Sequence, residues 1–206
     1  MIGSNQNKRR SATMTHFRRT AGVHGLSILD NLVLAGDAAR LRKAATTTAN
    51  VGCELIELPC SPIIQLSGAE IATALKDGGI SRSSFCQFFA CNGGQFPMGN
   101  PIGEGEELEA AKCTILDNLK IIEQIREGGV TVECLTGPWV FPLGFTPMLN
   151  TQGLLNRMVA FAQWAADELK RVGLPGAVEY LRPGEDACIG GIEKLLTFLA
   201  KVDREE

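Results

Sequence analysis

A chain of 206 residues with 45% hydrophobic and 21% charged residues can bury one real core, and global disorder is excluded. A net charge of −3 gives no general attraction to nucleic acid or to an anionic membrane. No apolar run approaches the roughly 20 residues of a membrane-spanning helix, so neither a polynucleotide nor a bilayer is an expected partner.

Residues 1–20 are polar and basic, with Lys8, Arg9, Arg10, Arg18 and Arg19 and no acid. That composition suits a mitochondrial transit peptide, but the apolar face of a targeting helix is missing. The expectation is a disordered basic tail, or a start placed too early with Met14 as the true beginning. The folded domain is expected over 21–206.

From Ala21 the chain alternates. Ala21 to Leu29 is a short apolar run, predicted as a buried strand. Asp37 caps a helical run through Leu41, Ala44, Ala45 and Ala49 that ends at Gly52. Glu54 to Pro59 is the second strand, stopped by the proline. Ser67 caps a helix through Ile71, Ala74 and Leu75, closed by Gly78 and Gly79. Ser83 to Phe89 is the third strand. The stretch Ala90 to Gly105 is rich in Gly, Asn and Pro and reads as a flexible lid or loop. Glu106 opens a long amphipathic helix with Leu108, Ala111, Ile115, Leu119, Ile122 and Ile125 on one face, ended by Gly128 and Gly129. Val130 to Leu135 is the fourth strand, leading into Thr136-Gly137-Pro138-Trp139. A helix from Thr151 carries Leu155, Met158, Ala162, Ala165 and Leu169. Gly176 to Leu181 is the fifth strand, and Ile189 to Val202 the last helix.

Five strand–helix units in strict alternation predict an α/β fold with a parallel sheet and right-handed crossovers. Two closures compete, an open doubly wound sheet and part of an eight-unit barrel. No Gly-rich phosphate loop follows the first strand, and Gly99, Gly103 and Gly105 lack the Lys and Ser/Thr of a P-loop. The seven cysteines form no C-x-x-C pair, and the only histidines are His16 and His24, which disfavours a zinc or redox centre. Most of the cysteines sit in apolar patterns as small core residues, and an odd number of scattered thiols fits a reducing, cytoplasmic compartment.

Glu179 falls near the C-terminal end of the fifth strand, and Glu185 on the loop after it. In α/β barrels the reacting groups come from that end. Three local patterns add to this. They are Gly52-Cys53-Glu54-Leu55-Ile56-Glu57-Leu58 on strand 2, Gly137-Pro138-Trp139 after strand 4, and Glu179-x-Leu-x-Pro-x-Glu185 after strand 5. Taken in order, they resemble the xylose isomerase-like TIM-barrel superfamily, in particular its sugar isomerases and ketose 3-epimerases. The resemblance covers about residues 21–202 and implies a partial (β/α)8 barrel.

It also implies metal-assisted proton abstraction next to a ketose carbonyl. Glu179 takes the place of the residue that is both general base and ligand of Mn²⁺ or Mg²⁺, and Glu185 the place of a sugar contact. His24, Glu57 and Trp139 would face the same mouth. Each also has a structural reading: His24 as a satisfied strand residue, Glu57 as a buried acid, Trp139 as core. Tyr180 and Pro183 depart from the residues usual in the superfamily, which bears on sugar specificity.

The superfamily's remaining ligands, on strands 6 to 8, fall beyond Glu206. The chain is therefore read as C-terminally truncated, inactive as this fragment, and holding no metal tightly, since a divalent ion wants several oxygen or nitrogen ligands. Its open edges predict association with another copy. From a different class, the alternative is a non-catalytic carbohydrate-binding or partner-completed barrel fragment. A DNA-repair endonuclease of the same barrel type is disfavoured by two histidines and a negative chain.

Overall fold

The computed structural model describes residues 22–24, 36–59, 61–90, 98–141, 152–178 and 191–204. They form five strands: β1 (Gly22–His24), β2 (Leu55–Pro59), β3 (Arg82–Ala90), β4 (Thr131–Phe141) and β5 (Gly176–Ala177). The helices are α1 (Ala38–Asn50), α2 (Ser61–Ile64), α3 (Gly68–Asp77), α4 (Glu106–Glu127), α5 (Gln152–Arg171) and α6 (Ile192–Val202). Both predicted helix starts that depend on a capping side chain are realised. Asp37 accepts from Arg40 N at 2.9 Å, and Ser67 and Glu70 form a reciprocal capping box. That exchange holds the Glu70 carboxyl below its ordinary value, the Ser67 hydroxyl bond being the larger cause.

All strand pairs are parallel, and the sheet order is β1-β2-β3-β4-β5. Strands adjacent in sequence are adjacent in space throughout. A doubly wound sheet reverses its order at a switch point, and this one does not. It is a sector of a barrel wall, with a helix laid over each crossover. The helices also pack in sequence, α1 on α3, α3 on α4, α4 on α5 and α5 on α6, as one outer layer.

Strand alternation sets where the core lies. Ile56, Ser83 and Val132 share one register row, and Leu58, Phe85 and Leu135 another. All six are buried, against helix residues that include Leu41, Ile71, Ile122 and Met158. Phe89 meets Phe161 of α5 edge to face, with centroids 5.6 Å apart. One polar contact lies in this layer: Asn118 of α4 donates to the Gln87 side chain, and both are fully buried. Arg126 at the end of α4 donates to the carbonyls of Val172 and Gly173 at 2.8 and 3.2 Å. A cation there satisfies orphan acceptors at the C-terminus of α5 and opposes its dipole.

Several boundaries differ from those expected. Strand 4 does not stop at Leu135. It runs to Phe141, so Gly137-Pro138-Trp139 lies within a strand and not in a turn after one. The strand survives because β4 bulges twice against β3, between Ser83 and Phe85 and between Cys86 and Phe88. Gly137 occupies the second bulge at φ +124°, where an added Cβ would stand 2.2 Å from the Gln87 carbonyl oxygen. Helix α2 was not anticipated. Of the expected strands 1 and 5, only Gly22–His24 and Gly176–Ala177 lie in described strand, and residues 25–29 and 179–181 lie outside the described residues. Also outside them are the basic stretch 1–20 and residues 189–190 of the last predicted helix.

Residues 98–105 form a loop, one of the two readings expected for Gly99 to Gly105, and it is packed against the helices; residues 91–97 lie outside the described residues. Met98, Pro101 and Ile102 are buried, and Thr114 of α4 donates to the Met98 carbonyl at 3.1 Å. The Asn100 side chain accepts from Ile102 N at 3.2 Å, an Asx-type turn, while Asn100 N reaches Glu107 O at 2.9 Å. Arg157 of α5 pairs with Glu104 from the other side. The segment is a packed plug on the start of α4.

The bulge at Gly137 yields a direct expectation. Gly137→Ala should destabilise the chain by about 2 kcal/mol or more, because a side chain there meets both positive φ and a carbonyl oxygen. Urea unfolding followed by circular dichroism measures it, and a midpoint equal to that of the parent would mean the bulge is not formed.

Candidate active site on the inner sheet face

If one face of the sheet lies under helices, the other must present the alternate residues. From β2 to β5 these are Glu57 and Ser84 in one register row, and Pro59, Cys86, Thr136 and Ala177 in the next. The first bulge puts Glu133 and Cys134 opposite the single residue Ser84. A polar group therefore collects on the inner face, toward the C-terminal ends of the strands.

Its centre is a hydrogen bond across an intervening strand. The Thr136 hydroxyl donates to Glu57 Oε1 at 3.1 Å, linking β4 to β2 over β3. Cys134 Sγ lies 3.8 Å from the same hydroxyl. Thr136 spends its one proton on Glu57, which leaves its lone pairs to accept from the thiol. Glu57 is half-buried and turned to the open side, so it is not an acid sealed within the core. Burial pushes the Cys134 thiol up from its ordinary value, and the neighbouring carboxylates of Glu57 and Glu133 push the same way against the opposing contact with Thr136.

The opposite end of the face carries a different group. Arg82 Nε stands 2.6 Å from Glu133 Oε1, and its Nη1 3.5 Å from Glu54 Oε2. The bond to Glu133 is the main cause holding the guanidinium more firmly protonated than usual. These residues tie β2, β3 and β4 together at the N-terminal end, where barrels keep residues for stability.

His24 is in register with Glu57, which places it beside β2 at the same level of the sheet. Trp139 lies in β4, in register with Phe88 of β3. Glu179 and Glu185 lie outside the described residues, two and eight positions after Ala177 in the sequence. Thr136 and Cys134 were not singled out from sequence. Their two-residue spacing around apolar Leu135 is the signal that marks them as one face. Among the described residues there is no group of three His, Cys, Asp or Glu placed to hold a metal. The set present is one carboxylate, one hydroxyl and a thiol held in its protonated form, which does not by itself fit a divalent cation. A groove of about 390 Å³ lies elsewhere, between α1 and α3 on the helical outside, walled by alanines, Arg42, Glu70 and Asp77. It is across the sheet from Glu57.

No protein-family model matches the chain, and no curated protein matches it by sequence. Solved structures do. The D-allulose 3-epimerase from Methylomonas sp. superposes with a TM-score of 0.69 at 19% identity, over 89% of this chain and 59% of that one. A D-psicose 3-epimerase crystallised in the presence of D-fructose gives 0.66 at 17% identity, over 89% and 60%. A family 2 AP endonuclease from Brucella melitensis gives 0.60 at 19% identity, over 90% and 65%. The Methylomonas enzyme has also been solved in complex with D-allulose. The likeness is one of fold, a sector of the α/β barrel of these solved structures. The chain spans about 59% of the length of the Methylomonas enzyme.

Cys134 offers a probe of this face. A thiol whose folded-state pKa is raised loses its proton more readily unfolded, so its contribution to stability falls as pH rises above the unfolded thiol value. Iodoacetamide labelling at mildly alkaline pH, read site by site by mass spectrometry, should modify exposed Cys113 well before Cys134. Thr136→Val should leave the fold intact while removing the hydroxyl from the Glu57 carboxylate, visible as a changed Glu57 side-chain resonance by NMR. Equal labelling rates, or an unchanged Glu57 signal, would contradict the described contact.

Proposed function

We propose that the chain supplies five βα units of a metal-assisted keto-sugar isomerase or 3-epimerase. The observation that carries this reading is the Glu57 carboxylate, held by Thr136 on the inner face toward the strand C-termini of a barrel wall. Reacting groups of such barrels occupy that end. Glu179 is taken as the base on the resemblance of Glu179-x-Leu-x-Pro-x-Glu185 to the superfamily's run after strand 5, and it follows the end of β5 by two positions in the sequence.

In this reading Glu179 takes the proton next to a ketose carbonyl, Glu185 contacts the sugar near the reacting carbon, and Glu57 accepts from a sugar hydroxyl beside Thr136. His24 and Trp139 line the same mouth. Proton removal next to a carbonyl needs a carboxylate within about 3 Å of the C–H and a counter-charge for the enediolate. A bound Mn²⁺ or Mg²⁺ supplies that counter-charge, with Glu179 as one of its ligands. A divalent ion wants several oxygen or nitrogen ligands and the resemblance supplies one, Glu179; on that ground the full reaction is assigned to an assembly with further barrel strands, and the 206-residue chain no tight metal binding.

The fold likeness to the Brucella endonuclease does not redirect the assignment. A chain of net charge −3 with two histidines is poorly suited to a polyanionic substrate and a His-rich metal cluster. No described helix is long and apolar enough to cross a membrane. With an odd number of cysteines, and with Cys53, Cys113 and Cys134 outside any disulfide, the cytoplasm is the proposed location. The open strand edges support a second reading, a partner-completed barrel piece that binds carbohydrate without turning it over.

Two measurements separate these readings. In a protein completed by further βα units, Glu179→Gln should abolish Mn²⁺-dependent epimerisation of a ketose while ketose binding persists, and retention of most activity would remove Glu179 from the base role. Titration calorimetry of the 206-residue chain with Mn²⁺ should show no stoichiometric tight binding, whereas a tight single site would place a complete ligand set within this sequence.

A further inference from the structure

Helix α6 carries two apolar faces. Leu195, Phe198 and Val202 are buried against the rest of the fold, where Gln163 of α5 donates to the Lys201 and Val202 carbonyls at 3.1 and 3.2 Å. Ile192, Leu196 and Leu199 lie on another side and are 54%, 59% and 44% exposed. They account for three of the five large hydrophobic residues exposed among the described residues. Their spacing of four and then three residues is that of a helix–helix seam, since such steps keep side chains on one stripe.

The shape and charge of the helix indicate what covers the stripe. Two copies of α6 laid antiparallel, with a two-fold axis passing close to Thr197, set Leu196 of each beside Leu199 of the other. The stripe is therefore its own apolar counterpart, as an isologous contact requires. Beside it, Glu193, Thr197 and Lys201 are exposed and follow one another at steps of four along one flank. Glu193 stands in the first turn and Lys201 in the last, so the antiparallel pair brings acid toward base at both ends. A parallel pair would set like charge beside like. Head-to-tail closure would instead place α6 against α1 of the next copy. The flank of α1 away from α3 carries exposed Arg40, Lys43 and Thr47, and exposed Val51 at the C-cap is a single apolar residue against the three of α6.

We propose that the exposed face of α6 is a homodimer contact of the 206-residue chain, formed by Ile192, Leu196 and Leu199 packing antiparallel on the same residues of a second copy. Glu193 and Lys201 fix the direction of the pair. The contact rests on the fold and not on the sugar chemistry assigned above, so either can fail while the other stands.

Light scattering coupled to size exclusion, run on the full 206-residue chain over a dilution series, tests this. The parent should approach twice the chain mass of 22.1 kDa at high concentration. Leu196→Glu, at a position already exposed, should give the single-chain mass with an unchanged circular dichroism spectrum. Lys201→Glu should weaken the dimer several-fold, and adding Glu193→Lys to it should restore the parent's strength. A parent that stays at 22.1 kDa throughout, a dimer indifferent to Leu196→Glu, or a double charge swap that fails to restore pairing would each overturn the proposal.

Discussion

Among the described residues the helices lie on one side of the sheet only, and the rest of the described structure follows from that constraint. Ile56, Leu58, Phe85 and Leu135 must point into that layer, because it is where their apolar surface leaves water. The period of two then compels Glu57, Ser84 and Thr136 to the other side. The polar group on the inner face is therefore a by-product of core formation, located by the same alternation that builds the core. Its local geometry adds two things. The bulge at Glu133 and Cys134 places both against Ser84, and the bulge at Gly137 keeps β4 paired past the point where Pro138 would otherwise end it.

The two ends of the inner face are chemically distinct, and the distinction matches their positions. At the N-terminal end Arg82 neutralises Glu54 and Glu133, joining three strands by charge. Toward the C-terminal end Glu57 accepts from a neutral hydroxyl and is still partly open to solvent. A hydrogen bond from a hydroxyl, unlike an ion pair with a guanidinium, does not neutralise the carboxylate at that contact. That contrast, more than the presence of acids, separates the structural end from the end available for chemistry.

Much of this was legible in the sequence, for reasons tied to particular residues. Capping by Asp37 and Ser67 is local, and so is the amphipathic stripe of α4, so both could be read without tertiary knowledge. Strict alternation predicted the parallel sheet, while the choice of a sequential strand order over a doubly wound one came with the resemblance. The extension of β4 through Pro138 was not legible. A proline signals a stop, and only the paired bulges against β3 let the strand continue. The packed plug at 98–105 was hidden for a similar reason: its Gly and Asn content resembles a mobile loop, but Met98 and Ile102 are buried by packing that local composition does not announce. Thr136 and Cys134 were missed because their meaning depends on Glu57, many residues earlier. As for Glu179 and Glu185, their assignment rests on resemblance alone.

The central proposal is that Glu57 of β2 and Glu179, two residues beyond β5 in the sequence, share one site on a barrel wall. Trace Mn²⁺ added to ¹⁵N-labelled chain tests it directly, since a paramagnetic ion broadens amides around even a weak site. The account predicts loss of the Glu57, Thr136, Gly137 and Glu179 amide signals together, ahead of the rest. Broadening centred instead on Glu54 and Glu133, or on Glu70 and Asp77 in the outer groove, would contradict it.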